Sequence, residues 1–334
     1  MKKFQKPKKS KYLKDIPATV NTILLLNDGR LAIGLYTELL IYNMKTYSVD
    51  IKKTLMDSEK VKFFLQLKDN SLFYYVYDRS SEGPWTDEYF RNYLIDLADK
   101  SFVDKTKMLP KNSRYNIMRE HSDNILFGGI TYEGKSGSYH STNASGPKRI
   151  EKLVKNTEEP KEIENKSEDD DNIKGKFNVS STLNIDLEDF ILPNKDMIAI
   201  ITLDNLFLYK SADFSKIGSA KITDGIKIET FDDNLLLIGT LDDVIIFDYK
   251  KLKTIKTIFC VLPYKIIYVN KPRVFIGETD EVDNRITEYE IDNNGKYKQI
   301  STPLEMSLRE LNGIALMKDG RIIASYNMDV RIWS

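Results

Sequence analysis

Histidine occurs twice and cysteine once in this chain of 334 residues. A single cysteine excludes a disulfide within the chain, and with only His121 and His140 beside it a thiolate or histidine metal cluster lacks its ligands. Cys260 lies in the apolar run "TIFCVLPY" and reads as a buried core thiol. Net charge is missing too, since Lys+Arg and Asp+Glu both number 50. Domains that hold nucleic acid through overall charge are strongly basic. No stretch reaches the roughly 18 apolar residues that cross a bilayer as a helix. The opening segment "MKKFQKPKKSKYLK" has no apolar core of a secretory signal, so the expected location is cytoplasmic. G-x-S-x-G, H-E-x-x-H and phosphate-cradling glycine loops are all absent.

What the sequence does contain is a repeat. "NDGRLAIGLYTELLIYN" (27–43) has relatives in "NKDMIAIITLDNLFLYK" (194–210), "FDDNLLLIGTLDDVIIFD" (231–248) and the closing "DGRIIASYNMDVRIWS" (319–334). Each shows a polar turn, an apolar strand, a short polar turn and a second apolar strand with an aromatic near its end. The aromatics Tyr42, Tyr209, Phe247 and Trp333 each lie eight positions after Gly34, Ile201, Gly239 and Ser325. Weaker copies start at Lys68, His121 and Asn270. The equivalent strand residues in all seven copies are Leu31, Leu72, Ile125, Ile198, Leu236, Val274 and Ile322, spaced by 41, 53, 73, 38, 38 and 48. Short runs rich in Ile, Val, Phe and Tyr, with a unit near ~40–45 residues, predict an all-β chain built as one seven-bladed β-propeller of four-stranded antiparallel blades. Two β-sandwiches are the alternative, and the even spacing favours the propeller. The seventh unit supplies three strands and would leave an open edge, a liability for pairing with other chains. "SKYLKDIPA" (10–18) belongs to no unit and is expected to pair with the strand ending in Trp333, closing the propeller.

This pattern resembles that of WD-repeat propellers. The residues that carry the resemblance are Gly34, Gly239, Gly277 and Ser325 in the second strand, and the aromatic–polar pairs Tyr42-Asn43, Tyr209-Lys210, Phe247-Asp248 and Trp333-Ser334. Asp243 and Asp329 occupy the turn before the third strand. One repeat ends in Trp, one keeps the acidic partner, and the family's Gly-His pair is absent. "LFGGI" (126–130) is similar to the double glycine of kelch repeats.

The domain layout expected is a basic disordered tail at 1–9 and a propeller at 10–334, interrupted by a disordered acidic insert at about 155–176. That insert, "KNTEEPKEIENKSEDDDNIKGK", has too little apolar surface to order itself. Its Ser167, followed by Glu168, Asp169, Asp170 and Asp171, is a phosphorylation candidate of the acidophilic kind. Connections between second and third strands are long in units 2 (78–90), 3 (132–148) and 6 (279–284). They should emerge on one face, and loops on a rigid scaffold carry function. Trp85, Tyr89 and Phe90 among Asp87 and Glu88, with Tyr132 and Tyr139 in the next unit, are the expected partner-binding residues, because exposed aromatics anchor interfaces. Folding back to cap the blade is the competing reading of those aromatics.

The resemblance implies a non-catalytic scaffold of the WD-repeat type that binds other proteins, with no cofactor and no metal. A propeller-fold hydrolase or lyase with a carboxylate or Ca²⁺-dependent site is one alternative. A lipid- or RNA-associated propeller is another, since seven of the first fourteen residues are lysine. The Phe-Arg-Arg-Gly motif of phosphoinositide-binding propellers does not occur.

Overall fold

The computed structural model describes residues 10–14, 16–55, 59–79, 88–104, 109, 115, 117–122, 124–130, 148–155, 177–260, 263–279, 284–301, 304–306, 311–326 and 329–334. Those residues form seven antiparallel sheets in which consecutive strands pair, except at the outer edges of blades 6 and 7, the organisation of a seven-bladed β-propeller. Blade 1 comprises Val20–Leu25, Leu31–Leu35, Glu38–Asn43 and Ser48–Thr54. Blade 2 comprises Glu59–Gln66, Leu72–Arg79, Glu88–Ile95 and Phe102–Asp104, and blade 3 Ile117–Ser122, Ile125–Ile130, Arg149–Lys155 and Phe177–Asn184. Blade 4 runs through Asp189–Asn194, Met197–Ile201, Asn205–Lys210 and Lys216–Lys221. Blade 5 follows with Lys227–Thr230, Leu235–Gly239, Asp243–Asp248 and Lys253–Phe259. In blade 6, Pro263–Asn270, Arg273–Thr279 and Asn284–Ile291 are followed by two short edge strands, Tyr297–Gln299 and Leu304–Met306, which both pair with Asn284–Ile291.

Blade 7 has three strands from the end of the chain, Leu311–Leu316, Ile322–Tyr326 and Asp329–Trp333, and a fourth from the beginning, Ser10–Tyr12. Ser10 lies opposite Trp333, Lys11 opposite Ile332 and Tyr12 opposite Arg331. The Leu13 amide donates to the Val330 carbonyl at 2.9 Å, and the Tyr42 hydroxyl donates to the Lys14 carbonyl at 2.6 Å. The edge that the sequence left open is therefore covered from the other end of the chain. Lys11 sits 3.7 Å from the centre of the Tyr47 ring, and the Arg321 guanidinium donates to the Tyr47 hydroxyl.

The strands form where the sequence matches two kinds of environment. Second strands are buried on both faces and read as unbroken apolar runs, as in Leu31–Leu35, Leu235–Gly239 and Ile322–Tyr326. Outer strands alternate or face water, as in Lys216–Lys221 and Lys253–Phe259. The turn before the second strand recurs with one chemistry. Gly29 and Gly320 take φ of 87° and 88°, and their amides donate to Leu26 and Met317 carbonyls at 2.9 Å. This is a type I turn closed by a left-handed residue, which glycine adopts without strain. Asp28 and Asp319 fix each turn by accepting from the backbone and guanidinium of Arg30 and Arg321. The Arg321 hydrogen bond holds the Asp319 carboxyl below the usual carboxylate range.

Two compact units divide the chain, one of Met1–Leu35, Ile41–Asp50 and Leu187–Ser334, the other of Tyr36–Leu40 and Ile51–Asp186. In the first, apolar clusters fill the spaces between consecutive blades. Ala199, Ile201, Leu206, Leu208, Ile228, Leu236, Ile238 and Phe247 join blades 4 and 5, and Phe275, Ile286, Ile314, Ile322 and Trp333 join blades 6 and 7. In the second, Phe73, Tyr75, Met118, Leu126, Ile130 and Leu153 join blades 2 and 3.

Gly128, the first of the two blade 3 glycines, has a steric cause. A Cβ on Gly128 would lie 2.4 Å from Cδ1 and Cε1 of Tyr115, whose buried ring packs on that backbone. The Tyr115 hydroxyl donates to Glu151 at 2.6 Å, and Glu151 also accepts from Arg149 Nε at 2.7 Å. The ring is thus held at both ends. Gly128→Ala will lower stability by about 1–3 kcal/mol, the range for overpacking a core, read as a reduced urea midpoint at unchanged slope.

Candidate functional site

In blades 4 and 5 the turns between second and third strands are built by one device. The Thr202 hydroxyl accepts from the Asn205 amide at 3.0 Å and donates to the Asn205 carbonyl at 3.2 Å. Thr240 holds Asp243 in the same way, at 3.0 and 3.2 Å. The threonine satisfies the turn internally, a common role for short hydroxyl side chains. It leaves Leu203-Asp204 and Leu241-Asp242 at the two tips, with Leu203 46% and Leu241 49% exposed.

The connection from blade 4 to blade 5 ties these tips together. Ile222 donates to the Asp204 carbonyl at 2.9 Å, Gly225 to the Leu203 carbonyl at 3.0 Å, and Ile226 to the Gly239 carbonyl at 2.9 Å. A Cβ on Gly225 would meet Ile201 Cγ1 at 2.6 Å and the Thr202 carbonyl oxygen at 2.8 Å, so only glycine allows this approach. Phe259 ends the outer strand of blade 5 directly opposite Asp243 and is 80% exposed. Burial, then the neighbouring charge of Asp242, raises the Asp243 carboxyl above its ordinary range.

The blade 2 connection differs from its expected bounds. Its strands run 8 residues each, to Arg79 and from Glu88, with Asp78 opposite Tyr89 and Tyr77 opposite Phe90. Glu88, Tyr89 and Phe90, read from the sequence as loop residues, are strand residues here, because backbone pairing continues past the length seen in blades 1, 4 and 5. Trp85 and Asp87 lie outside the described residues, as do Tyr132, Tyr139 and His140 of blade 3 and Ser167. Lys155, taken as the first residue of the acidic insert, is the last of a blade 3 strand and pairs with Phe177. The remainder of that insert and the 1–9 tail lie outside the described residues. The tip leucines and Phe259 were not singled out in the sequence, although "TLD" occurs in the same place in two of the repeats.

Other chemically conspicuous groups have structural partners. Asp189 is fully buried at the start of blade 4. Its carboxylate accepts from the Phe190 amide at 2.9 Å, the Ile228 amide at 3.2 Å and Lys227 Nζ at 2.8 Å. Arg285 pairs with the buried Glu278 at 2.6 Å, and Arg273 with the buried Glu288. Cys260 packs against the cluster between blades 5 and 6, and burial pushes its thiol up to about 12, so it stays protonated and unreactive at neutral pH. Among the described residues no three His, Cys, Asp or Glu side chains are grouped to hold a metal ion, and no helix is long and apolar enough to cross a membrane.

No protein-family model matches the sequence, and no curated protein sequence does. Solved structures do match. A chain of a crystal structure of a mitotic checkpoint complex is similar with a TM-score of 0.67 at 10% identity, over 100% of this chain and 93% of that one. With the seven antiparallel sheets, this likeness defines the fold: a WD-repeat-like, seven-bladed β-propeller.

Proposed function

We propose that this protein is a non-catalytic, cytoplasmic interaction scaffold of the WD-repeat type, binding a partner protein through the connections between second and third strands. Propellers of this class are commonly protein-interaction scaffolds, and the similar solved chain is part of a complex. The observation that carries the reading is the blade 2 hairpin, whose 8-residue strands outreach the 5- and 6-residue strands of blades 1, 4 and 5. In the sequence, Trp85, Asp87, Glu88, Tyr89 and Phe90 fall in one short segment at the start of and just before its second strand, aromatic anchors beside acidic residues. Tyr132 and Tyr139, between the second and third strands of blade 3 in the sequence, complete the proposed set of partner-binding residues. The propeller occupies 10–334, with 1–9 and the insert to residue 176 as appended segments, and phosphate on Ser167 would deepen the insert's negative charge.

Affinity capture from the native cell, followed by mass spectrometry, tests this. The wild type should retain a stable protein partner that the Trp85→Ala, Tyr89→Ala, Phe90→Ala triple variant loses, with both showing the same circular dichroism spectrum. Equal recovery by both assigns the hairpin a capping role, and recovery by neither overturns the scaffold reading.

A further inference from the structure

We propose that the tips of blades 4 and 5, with Phe259, form a docking surface for a short segment of a partner protein that carries lysine or arginine alternating with apolar side chains. The inference rests on the scaffold reading and gives that scaffold a second, chemically defined contact.

Single exposed leucines are ordinary on protein surfaces. These two are not independent, because Leu203 and Leu241 occupy the same position of the same turn in neighbouring blades. The turn does not need leucine there, since the threonine and backbone close it and the tip side chain faces water. A polar residue would serve such a tip better. The backbone bonds through Gly225 and Ile226 link the two tips, and Phe259 ends the strand beside the second. Three apolar side chains are thereby gathered along the blade 4–5 boundary, with Phe259 the most exposed of the large hydrophobics described.

Charge then selects the occupant. Asp204, Asp224 and Asp242 are exposed on the same connections, Asp204 and Asp242 each directly after an exposed leucine and Asp224 directly before Gly225. Among the described residues none of the three is in an ion pair, whereas Asp28, Asp189, Asp248 and Asp319 all hold a cation. Lys221 borders the surface at the outer strand of blade 4, opposite Asn205. An apolar surface interleaved with free carboxylates favours apolar anchors for binding energy and cationic neighbours for register and encounter rate. An acidic segment would meet like charge at Asp204, Asp224 and Asp242.

A random-peptide library displayed on phage is selected on the full-length protein. The selected peptides are then measured against three proteins: wild type, a Leu203→Ser, Leu241→Ser variant and an Asp204→Lys, Asp242→Lys variant. All four positions are exposed, so both variants should keep the wild-type urea midpoint. The expected result is enrichment of peptides combining Lys or Arg with Leu, Ile or Phe, binding about tenfold more weakly to either variant, the scale of losing one good anchor or charge pair. Affinity should also fall as salt rises. No enrichment, enrichment without that composition, or equal affinity for all three proteins overturns the proposal. If cellular capture still recovers a hairpin-dependent partner in that case, the scaffold reading stands and only this surface is lost.

Discussion

A chain beginning at residue 15 will be far less stable than the full chain and will aggregate, whereas a chain beginning at Ser10 will behave like the full chain. The first truncation removes the strand that pairs with Asp329–Trp333 and uncovers the edge of blade 7. It also removes buried Leu13, whose amide is bonded to Val330, and the carbonyl that accepts from Tyr42. Net hydrogen bonds near ~1 kcal/mol each and a buried leucine near ~2 kcal/mol put the loss at roughly 4 kcal/mol or more. That is a large fraction of the stability of an ordinary domain. The exposed edge adds a second effect, a template for pairing between chains. Urea unfolding and light scattering on the two truncations separate these contributions. Equal midpoints and equal scattering would mean that the strand is an ornament of blade 7 and not its closure.

Asp189→Ala will cost about 3–5 kcal/mol, the range for breaking a buried, hydrogen-bonded charge pair from one side. The carboxylate sits at the beginning of blade 4 and accepts from an amide and an ammonium at the beginning of blade 5. Its removal strands the buried Ile228 amide and takes from Lys227 its 2.8 Å ion pair. Asp189→Asn retains an acceptor for the amide but not the charge, and should lose less. The measurement is the urea midpoint of the three proteins. A midpoint for Asp189→Ala within error of the wild type would contradict this role.

How far the sequence could be read depended on how each blade obeys its own repeat. The pairings Ile198–Tyr209, Leu236–Phe247 and Ile322–Trp333 bear out the alignment of the copies at single-residue register. Those blades have tight turns and second strands buried on both faces, so periodicity and turn chemistry agree. In blade 6 the aromatic is Tyr289 opposite Val274, and a rule of eight positions misses it because the hairpin is longer. Blades 2 and 3 place Ile95 and Val154 there, leaving no aromatic to find. The closing strand was legible because an unpaired last strand and an unassigned first segment are each other's natural solution. The pairing of Asp189 with Lys227 was not, since two polar residues separated by a whole blade carry no local signature. The leucines at the tips of blades 4 and 5 were hidden by their flanks, as they continue an apolar strand in the sequence and differ from it only in exposure.

Hydrogen–deuterium exchange, run on the protein alone and on the complex recovered from cells, locates the partner's contact. Partner binding should slow exchange in the blade 2 hairpin and at the turns around Leu203 and Leu241. Protection confined to the opposite turns, those that contain Gly29 and Gly320, with no change at the hairpin or the leucine tips, would contradict it.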